Sequence, residues 1–268
     1  MNVITRNFLR LLRAGAFQEQ ETIEPLSDWK WRQLCHLAML HDVDKEIVEG
    51  ITRCQDQFFV PTALQQTVPH TPTPPNPENE DKDDDLLQPD HLTNPLLNHK
   101  LHAILDDESS NIETRRMLLQ IVKTARYFMN EGFPFRALTD LGLEIRHEGD
   151  RVDYIKLKEW LEKLKLTHFA RLQGTLLVRL MKFAEEEIVF ATPNVEVDEE
   201  RLAKNIFRLR KANVGDWQFS QGQSIFVHSS GSMLWHVQRS AKYFRYYPAE
   251  SLTNFLASFA HSVSHIEE

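Results

Sequence analysis

A chain of 268 residues that is 41% hydrophobic and holds five Trp and sixteen Phe can bury a sizeable core, which excludes disorder throughout. Nine Gly over that length are too few for many short strands and tight hairpins, whose turns need positive φ. The net charge is −8 and there are only two cysteines, Cys35 and Cys54; this excludes a disulfide framework and a structural zinc site, and both residues read as reduced core thiols.

The first ten residues carry Arg6 and Arg10 where a signal peptide needs an unbroken apolar stretch, and no run approaches the roughly 18 apolar residues of a membrane span. A cytoplasmic location without a transmembrane segment follows as an expectation. Three helices are predicted next. Ile4, Phe8, Leu11 and Leu12 line one face of the first, and Trp31, Leu34, Cys35 and Ala38 do the same in the second. The third opens with Asp42 as N-cap and buries Ile47, Val48, Ile51 and Cys54.

The pattern then breaks. Pro69, Pro72, Pro74, Pro75 and Pro77 remove backbone donors, and residues 78–91 add seven acids against one lysine, so a disordered acidic linker is predicted over 68–95. Its net charge of −6 leaves −2 for the rest of the chain, out of −8 in all. The acidity of the whole is therefore no guide to the folded surface.

Helical periodicity returns over 112–131, where Leu118, Ile121, Val122, Ala125, Phe128 and Met129 share a face and Gly132 takes the C′ position. Further helices are predicted over 134–146, over 152–164 with Leu157, Leu161 and Leu164, and over 168–187 with Phe169, Leu172, Leu176, Leu180 and Phe183 in register. Asp198, Glu199 and Glu200 put acids at the positive end of a helix running to about residue 212. Pro248 opens a last helix carrying Leu252, Phe255, Leu256 and Phe259. Only 213–231, with Gly215, Gly222 and alternating Trp217 and Phe219, resists a helical reading. The expected architecture is mainly α: an irregular helical bundle with little or no sheet. It divides into an N-terminal part (1–67), the linker (68–95) and a C-terminal domain (96–268) on which the first part packs.

No catalytic constellation can be assembled from the residues. Neither G-x-x-x-x-G-K-[ST] nor G-x-G-x-x-G occurs. Gly231-Ser232 lacks the carboxylates that metal-dependent nucleotidyl transfer needs, since after Asp216 the only acids are Glu250, Glu267 and Glu268. Asp83, Asp84 and Asp85 on consecutive positions diverge. His261 and His265 have no intervening acid, and His99 and His102 lie in a weakly patterned segment without a third ligand. Cys35 and His36, adjacent on one helix, point about 100° apart. No metal or cofactor is expected. What remains is a basic stretch, 201–247, with eight cations and one acid, a local charge of +7. Arg239, Lys242 and Arg245 recur every three residues beside Tyr243, Phe244, Tyr246 and Tyr247, and with Lys204 and Arg208 they form the candidate surface for an anionic partner.

Several segments resemble the uncharacterised nucleotidyltransferase-like proteins common in Bacteroidetes. Phe8-Leu9-Arg10-Leu11-Leu12-Arg13-Ala14-Gly15 and the helix from Trp29 to Leu40 are similar to the opening of that family. Gly132 to Asp140 resembles its G-x-x-x-R-x-L-x-D element, and Leu161 to Phe169 its L-x-x-L-x-L-x-x-F junction. Ala212-Asn213-Val214-Gly215 resembles its G-N-F-G, and Phe244-Arg245-Tyr246-Tyr247-Pro248 its aromatic-proline helix entry. The family's small sheet, with a lysine-glycine element and a D-x-D pair for Mg²⁺ and nucleotide, has no counterpart between 56 and 112. The resemblance implies a degenerate, non-catalytic relative acting as a helical interaction or regulatory module, in which Arg136 and Asp140 form a structural i, i+4 ion pair. The alternatives are an active Mg-dependent nucleotidyltransferase with an unrecognised site and a nucleic-acid-binding protein using the basic third.

Overall fold

Residues from Phe8 to Ile206 contribute to one continuous apolar core in which Trp31, Phe8, Phe135 and Phe169 are the largest fully buried side chains. The computed structural model describes residues 1–57, 92, 94–107, 110–130, 135–204 and 206–207. Nine helices and no strand lie among the described residues, 75% of which are helical. In chain order they are α1 (Val3–Ala16), α2 (Asp28–Leu40), α3 (Asp44–Cys54), α4 (Pro95–Leu105), α5 (Ile112–Asn130), α6 (Phe135–Glu148), α7 (Tyr154–Lys163) and α8 (Thr167–Met181), followed by α9 over 199–207, of which residue 205 is not among those described.

The predicted apolar stripe of α1 is buried at Phe8, Leu11 and Leu12, and Asn2 caps the helix by accepting from the Thr5 amide at 2.9 Å. α1 crosses α3 almost backbone to backbone. A Cβ on Gly15 would lie 1.8 Å from the Glu46 carbonyl oxygen, and one on Gly50 would lie 2.0 Å from that of Leu11. Only glycine permits this approach from both sides. α3 starts one residue later than the sequence suggests. Asp42 is not its N-cap but sits at φ 53 in the turn after α2, and Val43, fully buried, occupies the cap position without a side-chain bond. The need to bury Val43 outweighs the capping preference of Asp42.

α5 buries Leu118, Ile121, Val122, Ala125 and Phe128, as its periodicity requires. Asn111 caps it from the Thr114 amide, and the Thr114 hydroxyl accepts from the Asp153 amide at 2.8 Å, which sets the start of α7 beside the start of α5. α8 is buried on nearly every side, including Gln173, Gly174 and Thr175, as the central helix of a bundle is. It is shorter than the predicted 168–187: Lys182 takes a left-handed conformation at φ 61 and ends it, and Phe183 is buried beyond the helix instead of within it. Arg13 of α1, with only 7% of its side chain exposed, donates to the Leu180 carbonyl at 2.8 Å and pairs with Glu21 at 2.5 Å. It thereby satisfies a carbonyl at the negative end of α8 and ties the first helices to the central one.

Most of the predicted linker 68–95 lies outside the described residues. Of its last residues, Leu92 is fully buried and its amide donates to Asn98 Oδ1 at 2.8 Å, while Asn94 accepts from the Leu96 and Leu97 amides to start α4 with Pro95 in the first turn. Cys54 is buried as expected, but Cys35 is only half-buried, and burial pushes both thiols above the ordinary range. Among the described residues no helix is long and apolar enough to cross a membrane. Gly132, the non-helical stretch 213–231 and the last helix from Pro248 lie outside the described residues.

Candidate functional site

Among the described residues a concave feature lies where α4 and α7 face each other. Leu97, Leu101 and Ile104 of α4 are buried at spacing i, i+4, i+7, which sets Lys100, Ala103 and Ile104 along one face of the helix, with Asp107 just beyond its end. α7 is anchored by Leu157, Trp160 and Leu161, and its cap residue Asp153 accepts from the Lys156 amide at 3.0 Å. Lys156, Trp160 and Lys163 then fall along the facing side. Between them lies a cleft of about 310 Å³ lined by Lys100, Ala103, Ile104, Asp107, Trp160 and Lys163.

Its floor is apolar and its walls are charged. Trp160 is 3% exposed, so most of the indole serves the core and only its rim meets the cleft. The Lys156 ammonium lies 5.7 Å from the centre of that ring and 3.8 Å from Asp107 Oδ2. Ring quadrupole and carboxylate both attract the cation, and together they hold Lys156 against two residues of the lining, Trp160 and Asp107. Lys100 and Lys163 are exposed, and neither has an ion-pair partner among the described residues. Two ammonium groups and one carboxylate line the cleft, and that carboxylate is paired with Lys156, so the cations of Lys100 and Lys163 stand over an apolar floor without a countercharge from the lining. Such an arrangement attracts an anion and gives it a surface to rest on.

The structure places only part of the sequence-derived site. Lys204 is exposed on α9, as is Arg201, while Leu202, Ala203 and Ile206 dock that helix on the bundle. Phe207 continues the contact, its ring 5.3 Å from Phe8, 5.2 Å from His41 and 5.0 Å from Phe135, centre to centre. Asp198 caps the helix by accepting from the Glu200 amide at 3.0 Å. Arg208, Arg239, Lys242 and Arg245 lie outside the described residues, as do Asp83 to Asp85, Gly231-Ser232, His261 and His265. Arg136 and Asp140 form the expected ion pair at 2.9 Å, extended by Glu46 at 3.3 Å, which links α6 to α3. His99 and His102 are exposed on α4, and among the described residues no group of three His, Cys, Asp or Glu could hold a metal ion.

Lys100, Lys156, Trp160 and Lys163 were not singled out by the sequence reading. The signal for α4 was present: an Asn-Pro start followed by Leu97, Leu101 and Ile104 at helical spacing. The pairing of α4 with α7 was not, because nothing local in either helix names its neighbour. Fold and cleft together define an all-α bundle with a lysine-flanked surface cleft. Comparison of the chain with protein-family models, with curated proteins and with solved structures yields no match.

Proposed function

We propose that the chain is a non-catalytic helical interaction module, cytoplasmic and nucleotidyltransferase-like in its helical frame, that engages an anionic partner through the basic stretch beginning at α9. One observation carries this reading. α9 seats Leu202, Ala203 and Ile206 in the core while leaving Arg201 and Lys204 exposed, without an acidic partner among the described residues. The stretch of +7 thus starts from a docked helix whose cations face water, where long-range attraction of a polyanion is least opposed by internal pairing. Elsewhere the frame uses its arginines internally: Arg6 and Arg10 on Glu24, Arg13 on Glu21, Arg146 on Glu19 and Glu187. The contrast is between cations spent on holding helices together and cations left available.

Heparin affinity of the whole chain tests this. The parent protein is expected to bind at low salt and to release as salt rises, because the contact rests on screened charge. Replacing Lys204, Arg208, Arg239, Lys242 and Arg245 by Glu is expected to abolish retention. Retention by the variant at the parent's salt concentration would refute the surface. A thermal-shift gain with nucleoside triphosphate and Mg²⁺, about 2.7 kcal/mol at a hundred times Kd, would favour the active-nucleotidyltransferase alternative instead.

A further inference from the structure

We infer that the cleft between α4 and α7 is a binding site for a small amphipathic organic anion, its acidic head held between Lys100 and Lys163 and its planar or apolar body laid on Ala103, Ile104 and the rim of Trp160. This site is independent of α9 and of the basic stretch, and it stands or falls separately from the interaction surface.

Size comes first. About 310 Å³ is at the small end of ligand pockets, which run from roughly 300 Å³ upward; it fits a single ring system with one acidic group and does not fit a folded partner. Charge comes second. Lys100 and Lys163 approach from different helices, so their ammonium groups flank the opening instead of stacking along one side, and no acid among the described residues pairs with either. The one carboxylate on the wall, Asp107, is already engaged by Lys156 at 3.8 Å. The exposed acids nearest in sequence on α7, Glu159 and Glu162, do not line the cleft. An anion entering here therefore meets two uncommitted cations and no uncommitted carboxylate from the lining.

The floor decides between an inorganic anion and an organic one. Ile104 is 8% exposed and Trp160 3%, and Ala103 between the two lysines is the small residue that keeps the space open. An inorganic ion would leave this floor wet, whereas a ring or short chain would cover it and gain from the area removed from water. A phosphate and a carboxylate head satisfy the same two ammonium groups, and separate probes distinguish them.

The test is calorimetric titration of the full chain with 1-naphthyl phosphate, 1-naphthoate, inorganic phosphate and 1-naphthol at low salt. At least one naphthyl anion is expected to bind one to one with a Kd of about 1 mM or tighter, and at least tenfold more tightly than inorganic phosphate or 1-naphthol. The double variant Lys100→Gln, Lys163→Gln is expected to weaken that binding at least tenfold, and Ala103→Leu, which fills the cleft with both lysines intact, to do the same. Lys158→Gln, an exposed lysine of α7 outside the lining, is expected to change nothing. These substitutions are on the surface, and unchanged thermal melts establish that the variants are folded. The inference is overturned if neither naphthyl anion binds, if inorganic phosphate binds as well as they do, or if the double variant and Ala103→Leu, both folded, bind like the parent.

Discussion

The α1/α3 seam is closed and the α4/α7 seam is open, and the difference comes down to which residues meet. Where α1 crosses α3, each helix offers a glycine to the other's backbone, Gly15 to Glu46 and Gly50 to Leu11, and nothing separates them. Where α4 faces α7, only α4 offers a small residue, Ala103, and it looks across at Trp160 and Lys163. The lysine stems can cover apolar surface, but their charged ends stay in water. Close approach needs small residues on both sides; one side alone leaves a cleft.

Breaking the closed seam has the largest expected effect. Gly50→Ala puts a methyl group 2.0 Å from a carbonyl oxygen, and Gly15→Ala one at 1.8 Å; both obstacles are backbone, so the helices themselves must part. Overpacking costs about 1–3 kcal/mol where side chains can yield and more where they cannot, so a loss of about 3 kcal/mol or more is expected for either, seen as a fall in the urea midpoint. A midpoint within experimental error of the parent would show that the seam is not as tight as described. A moderate effect is expected at the α6 to α8 end, where the Arg146 guanidinium lies 4.3 Å from the Phe183 ring centre and 5.1 Å from that of Phe17 while pairing with Glu19 at 3.0 Å and Glu187 at 3.3 Å. Arg146→Ala removes all four contacts and should cost about 2 kcal/mol. Arg146→Lys, which keeps charge but loses the planar fork, should fall between. Equal melting of Arg146→Lys and the parent would show that charge alone matters there.

The sequence made the helices legible but not the seams between them. Apolar spacing located the cores of α1, α5, α7 and α8, because a helix that buries one face must repeat its apolar residues at that period. It overran α8 by reading Phe183 into the helical register. Phe183 is indeed buried, but after a left-handed Lys182, and periodicity registers burial without registering the turn that delivers it. Asp42 misled for a related reason: its capping preference is local, whereas the burial of Val43 depends on what α3 packs against. Neither seam could be read. The glycines at 15 and 50 are 35 positions apart and α4 is about 50 positions from α7, so their meeting is a property of the assembled bundle. The ion pair of Arg136 with Asp140 was readable because i, i+4 neighbours meet on any helix.

The smallest effect, and the one with the most distinctive sign, belongs to two glutamates that the bundle treats in opposite ways. Glu24 accepts from Arg6 at 2.8 and 2.7 Å and from Arg10 at 2.9 Å. The Arg6 hydrogen bonds above all hold its carboxyl down at about 2. Glu144 is pushed up by burial, only partly opposed by Arg116, whose nearest nitrogen is 3.8 Å from Oε1. In the unfolded chain both titrate near 4.3. For Glu24 the folded value is the lower one, so its contribution is present above about 4.3 and is lost as pH falls toward 2. For Glu144 the folded value is the higher one, so folding is favoured when it is protonated; that contribution is present below about 4.3 and is lost as pH rises through the folded value. Glu144→Gln removes the charge that burial disfavours, and it should raise stability at pH 7 by a few tenths of a kcal/mol to about 1 kcal/mol, a gain that vanishes below pH 4 where the parent is protonated as well. Glu24→Gln should lower stability at pH 7 and flatten the loss on acidification. Urea midpoints from pH 7 down to pH 2 separate the two, since the curves of Glu144→Gln and the parent should converge on acidification from above and those of Glu24→Gln and the parent from below. A Glu144→Gln protein no more stable than the parent at pH 7 would mean that Arg116 compensates the buried carboxylate in full, and that this charge belongs with the frame-holding pairs after all.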